Sequence, residues 1–122
     1  MIMDSTGITG RKMKSKASGK ITASQRRWRE RVRELGSFIS GRPAVIHHPA
    51  GRSARHNKID IGHWWIIPLT DGEHRALHRG ETFGYVSRKE LEKCGMIWIR
   101  DRLVGQEFIS DEIFDAIMDY HR

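Results

Sequence analysis

"AVIHHPAG", residues 44–51, is the stretch on which the reading of this chain turns. Val45 and Ile46 have the β-branched character of a short strand, and Pro49, with no N–H to give to a ladder, must end that strand or sit at its edge. Two adjacent histidines, His47 and His48, close the run. Neighbouring side chains on a strand point to opposite faces, so the pair cannot act as one bidentate clamp. Either both are incidental, or they have two different jobs.

Downstream, "AGRSARHNKIDIG" (50–62) is polar and glycine-flanked, the composition of a surface loop. "HWWIIPL" (63–69) reads as a second strand ending at Pro68, and Thr70 or Asp71 then caps a short helix, "DGEHRALHRG" (71–80), stopped by Gly80. Upstream, Gly41, Arg42 and Pro43 make a turn. Before it, "SQRRWRERVRELG" (24–36) is a helix with N-cap candidates from Thr22 to Ser24, closed by Gly36. Its Trp28, Val32 and Leu35 fall at i, i+4 and i+7, which gives one face to bury.

Beyond the centre, "SRKELEKCG" (87–95) reads as a helix capped by Ser87, and "MIWIRDRLV" (96–104) as a strand or buried segment. "SDEIFDAIMDYHR" (110–122) is a final helix with Ser110 at its cap and Phe114, Ile117 and Met118 on one face. The expected fold is therefore a small α+β domain. A basic flexible arm occupies 1–20 and the folded domain 21–122, with a ββα core at about 43–80 and a helical extension at about 87–122.

A chain of 122 residues, 38% of them hydrophobic, has enough apolar content for one core. No stretch approaches the roughly 20 apolar residues of a bilayer span, and residues 1–20 lack the apolar run of a secretory signal, which points to the cytoplasm. Cys94 is the only cysteine. It excludes an internal disulfide and a multi-cysteine zinc knuckle, and reads as a small buried hydrophobe. The net charge of +7 is unevenly placed: residues 1–34 hold ten Lys/Arg against three Asp/Glu, whereas the rest of the chain is balanced. Such a block suits a polyanion, because neutralising phosphates releases counterions whatever the sequence. Lys12, Lys14 and Lys16 in the arm are candidate DNA contacts on this ground.

Six of the seven histidines lie between 47 and 78. His74 and His78 are spaced H-x-x-x-H, which on a helix stacks both imidazoles on one face within reach of one cation. If His47 faces that helix, it completes a three-histidine metal site with an open coordination position. His48, pointing the other way, is then free to take a proton from an attacking water. A cation and a base are the two parts that phosphodiester hydrolysis needs.

"IHH", then "IIPL", then "EHRALH" resembles the HNH (ββα-metal) nuclease motif, as in the colicin-type DNases. More specifically, residues 24–84 resemble the phage recombination-enhancement (Ref-type) nucleases. In that family a helix leads through "LG" and a "GxP" turn into "IHH", a loop with glycine and arginine, "IPL" and a final "LH". The resemblance implies a metal-dependent endodeoxyribonuclease. It assigns His47, His74 and His78 to the metal, which is Zn2+ or Mg2+/Mn2+, and His48 to the general base. The middle position of the motif, usually Asn, falls near His63 by distance from "IPL", while Asn57 is the literal asparagine. His63 is taken as the second catalytic candidate, an outer supporter of the site. A RecA-type recombinase filament is the partner implied.

The sequence departs from that family where it commonly has a C-x-x-C before the turn and a further cysteine after "IPL". Those places read Ser37, Ser40 and Thr70. No structural zinc is expected there, and packing by Phe38, Trp64 and Trp65 is expected to hold the corner instead. Arg52, Arg55 and Lys58 in the loop are the expected phosphate contacts beside the site, with Arg75 and Arg79 close by in sequence. Trp64 and Trp65 could stack on bases, although at least one belongs in the core. Nothing here encodes base readout, so little sequence specificity is expected. The acidic residues Glu107, Asp111, Glu112, Asp115 and Asp119 should repel DNA. Two other readings remain: a catalytically silent DNA-binding module with a structural metal at the histidines, and an interaction protein acting through its acidic last helix.

Overall fold

The computed structural model describes residues 20–103, 105–106 and 109–120. The arm with Lys12, Lys14 and Lys16 therefore lies almost wholly outside the described residues, as does Glu107. The described part is α+β: four helices and two small antiparallel sheets. No described helix is long and apolar enough to cross a membrane.

Helix α1 (Ala23–Glu34) starts at Thr22, whose hydroxyl accepts from the Gln25 N–H while the Gln25 side chain accepts from the Thr22 N–H. This reciprocal box satisfies two of the N–H groups that a helix start leaves open. Trp28 and Val32 are buried, as their spacing predicts. Strand β1 (Val45–His47) pairs antiparallel with a later strand, β4 (Ile67–Leu69), in the register Val45↔Leu69, Ile46↔Pro68, His47↔Ile67. Helix α2 (Asp71–His78) follows β4 directly, with its own box between Thr70 and Glu73. Strand, strand and helix thus form a ββα unit. Helix α1 packs on both of its strands.

The structure corrects the sequence reading in three places. The second strand does not begin at His63: residues 61–66 form a tight turn, with Trp64 and Trp65 both donating to the Ile61 carbonyl, and the strand is Ile67–Leu69. Pro68 does not end it. In a two-stranded sheet a proline needs no second ladder partner, and its carbonyl accepts from Phe38 N at 2.8 Å. The loop at 50–62 holds a second hairpin, β2 (Arg55–His56) against β3 (Ile59–Asp60), turned by Asn57 and Lys58, both at positive φ. That is the backbone of a primed two-residue turn, which Asn favours and Lys does not advertise.

The third correction is α3 (Arg88–Arg102), one helix where a helix and then a strand or buried segment were expected. Gly95 looked like a stop signal, but it marks a close approach. A Cβ there would lie 2.9 Å from Ile67 Cγ2, so glycine lets α3 press on β4. The buried series Leu91, Glu92, Gly95, Met96, Ile99 and Leu103 has helical period despite its β-rich composition. Helix α4 (Asp111–Asp119) packs on β3 through Ala116 and Ile117.

Candidate metal and histidine site

Along β1 exposure falls from Val45 to a buried His47, so the ring of His47 is turned inward. It meets α2 there, with centroids 4.7 Å from His74 and 5.7 Å from His78. One helical turn apart, His74 Nε2 and His78 Nε2 are 3.0 Å from each other. Ligand atoms of all three residues lie within 4.8 Å of one another. A tetrahedral zinc with bonds of about 2.0–2.1 Å holds its nitrogens roughly 3.3–3.4 Å apart, so the two α2 imidazoles already stand near chelating separation. Burial, then the neighbouring His47 and His78, push the His74 pKa down, which favours the unprotonated ring that binds a cation. The donor set fits a divalent metal.

Glu92 completes this side of the site, and sequence reasoning missed it. Its carboxylate Oε2 is 2.7 Å from His47 Nε2 and 3.0 Å from Arg88 Nε, and the residue is buried. An ionised carboxylate only accepts, so Nε2 of a neutral His47 carries the proton and the Nδ1 lone pair is the one a cation can use. Metal-binding histidines characteristically have such a carboxylate on the second nitrogen. The signal was a glutamate on the inward face of a helix. It stayed hidden because the helix was ended at Gly95 and its apolar phase was not followed.

His48 stands apart from that cluster. Its ring is edge-on to the buried His63, centroids 5.9 Å apart. Burial first, then the charge of Arg52, and then those of His63, His47 and Arg29, lower its pKa to about 4, so the imidazole is neutral at neutral pH. The structure therefore brings His63, and not Asn57, beside His48. Asn57 is at the tip of the second hairpin, lining a cavity of about 440 Å³ with Glu112, Asp115 and Asp119 of α4. Arg55 donates to the Lys58 carbonyl across the same tip, and neither is among the charges that act most on His48. Of the loop cations, Arg52 is the one that reaches it. Arg29 on α1 was not foreseen, because a helical arginine carries no mark of what its flank will face.

The corner of Ser37, Ser40 and Thr70 is held by hydrogen bonds on Glu73. Ser37 Oγ donates to Glu73 Oε1 at 2.5 Å and accepts from the N–H groups of Ile39 and Ser40, and Thr70 N donates to the same carboxylate oxygen. Burial opposes the charge, but these bonds outweigh it and keep the Glu73 carboxyl below its usual pKa. The expected aromatic support is only partial. Phe38 packs between Tyr85 and Trp98 nearby, Trp64 meets Trp28 of α1, and the buried Trp65 donates to the Glu92 carbonyl. Cys94 is half-buried, and burial pushes its thiol pKa up, away from nucleophile chemistry.

Comparison of the chain with family models, with curated proteins and with solved structures found no match.

Proposed function

We propose that this protein is a metal-dependent endonuclease that hydrolyses DNA phosphodiester bonds, as its resemblance to HNH nucleases implies. The observation that carries the reading is the division of the histidine pair. His47 joins His74 and His78 around a place for a cation, while His48 joins His63 and Arg52 outside that cluster. A divalent metal held by His47, His74 and His78 supplies Lewis-acid charge for the phosphoryl and leaving oxygens.

The rest falls to the chain itself. Glu92 and Arg88 fix the His47 ring in one tautomer. His48, uncharged, takes the proton of the attacking water, and His63 packs against its ring and limits its rotation. Arg52 attracts the phosphate to the His48 side. All these groups sit on β1, α2, α3 and the segment between the strands, so the ββα unit positions both halves of the site.

The test is nicking of supercoiled plasmid by the full chain. Cleavage abolished by EDTA and restored by Zn2+, Mg2+ or Mn2+ supports the reading. DNA bound but uncut under every metal would replace it with a silent binding module.

A further inference from the structure

The loop between α2 and α3 joins the helix that carries His74 and His78 to the one that carries Arg88 and Glu92. It is held along its length by hydrogen bonds. Phe83 N donates to Glu81 Oε2 at 2.9 Å, Thr82 Oγ1 to the Tyr85 carbonyl at 2.8 Å, and Val86 N to Glu90 Oε1 at 2.8 Å. Phe83 and Tyr85 pack against the core, and Phe83 holds a φ of 52°. A left-handed backbone at a bulky residue costs free energy and persists only where the surroundings over-determine it.

Val86 is what this rigid loop presents to solvent. It is 90% exposed, whereas the next most exposed large hydrophobic residues described, Val45 and Ile97, are at 44%. With Ser87 as the cap of α3, Val86 stands one residue before the cap, where an apolar side chain often packs on the fourth helical residue. That residue is Leu91, which is wholly buried, and Val86 at such exposure does not close the staple onto it.

Arg88 is equally unaccounted for by its helix. It is the first residue of α3, the end where the helix dipole opposes a cation, and it precedes its partner Glu92, the weaker order for an i,i+4 pair. The pairing uses Nε alone, at 3.0 Å, where a guanidinium facing a carboxylate frequently gives two parallel bonds. The same Glu92 oxygen lies 2.7 Å from His47 Nε2, so the guanidinium is two hydrogen bonds from a residue of the metal cluster. Among the described residues neither Nη of Arg88 has a hydrogen-bond partner, and the side chain is 40% exposed.

We propose that Val86 and Arg88 form a subsite that grips one nucleotide of DNA beside the metal cluster, with the Arg88 Nη groups on a phosphate oxygen and the Val86 methyl groups on the adjoining deoxyribose. Their Cα atoms are at most about 7 Å apart, close enough for one nucleotide to meet both. The subsite rests on the endonuclease reading and names where its substrate strand is held. Neither contact reads a base, so the grip is independent of sequence.

The experiment is equilibrium binding of the full chain to a fluorescent 20-bp duplex in EDTA across a salt series, so that neither metal nor cleavage enters. Arg88→Gln and Val86→Ser are set beside Arg102→Gln and Ile97→Ser, which make similar changes farther along α3, and thermal unfolding checks that every variant is folded. Arg88→Gln is expected to reduce the slope of log K against log salt by about 0.9, roughly eightfold in affinity at 0.1 M salt, and Arg88→Lys to keep it. Val86→Ser is expected to weaken binding about fivefold with the slope unchanged, since it removes apolar contact and no charge. The Arg102 and Ile97 variants should stay within twofold of wild type. An unchanged slope in Arg88→Gln, wild-type affinity in Val86→Ser, equal losses in the controls, or no binding by the wild type would each overturn the subsite. Zinc affinity lost in Arg88→Gln with its slope intact would overturn it too, by making Arg88 a support for Glu92 alone. A plasmid left uncut while the variants still differ from their controls would remove the nuclease reading and leave the subsite standing.

Discussion

Replacing Glu92 by glutamine tests the metal side of the site without touching a ligand. In the structure Glu92 Oε2 holds His47 Nε2 at 2.7 Å and Arg88 Nε at 3.0 Å, and its side chain is 8% exposed. A charge-assisted bond of this kind contributes about 1.5–3 kcal/mol. Only the part that strengthens when His47 donates electron density to a cation appears as metal affinity. Glutamine keeps an acceptor oxygen in place but removes the charge, so the loss should fall near the lower end of the 10–100-fold range for such outer partners, or about 1.4 kcal/mol. Arg88 is 40% exposed and can turn to water, which limits the cost to folding to about 1 kcal/mol. Competition titration of Zn2+ against a chromophoric chelator reads the affinity, with thermal unfolding alongside. Zinc affinity within twofold of wild type in a folded Glu92→Gln chain would refute the role given to this carboxylate.

Two further substitutions test the scaffold. Gly62→Ala sets a Cβ 2.0 Å from the Arg52 carbonyl oxygen, a backbone atom that cannot step aside, so urea unfolding should show a loss of about 3 kcal/mol or more; unchanged stability would mean that the 51–54 segment is not packed on Gly62. Ser37→Ala removes a hydroxyl that serves Glu73, Ile39 and Ser40 at a buried position, for an expected loss of about 1–3 kcal/mol. A neutral result would return the corner to the aromatic packing of Phe38.

The histidine arrangement was legible because both of its periodicities are short-range. Alternation on a strand separates His47 from His48, and the four-residue helical step joins His74 to His78. What lies far away in sequence was not legible. Glu92 comes from 45 residues beyond His47, on a helix whose glycine looked like a terminus and proved to be a packing contact. Arg29 could not be told from the other α1 arginines until Trp28 and Val32 had set the rotation of the helix on the sheet. The second hairpin escaped because its strands are two residues each and polar, and a lysine takes one of its left-handed turn positions. Serines in place of expected cysteines marked a different chemistry for that corner, and the partner they found, Glu73, belongs to the α2 capping box.

The account as a whole stands on the separation of two duties between adjacent histidines, and one paired measurement on His48→Ala tests it. Zinc binding and plasmid nicking are read on the same preparation beside wild type. The account predicts zinc affinity within a few-fold of wild type and cleavage reduced by 10²–10⁴, about the range of a general base. A variant that cuts like wild type, or that loses zinc together with cleavage, would contradict it.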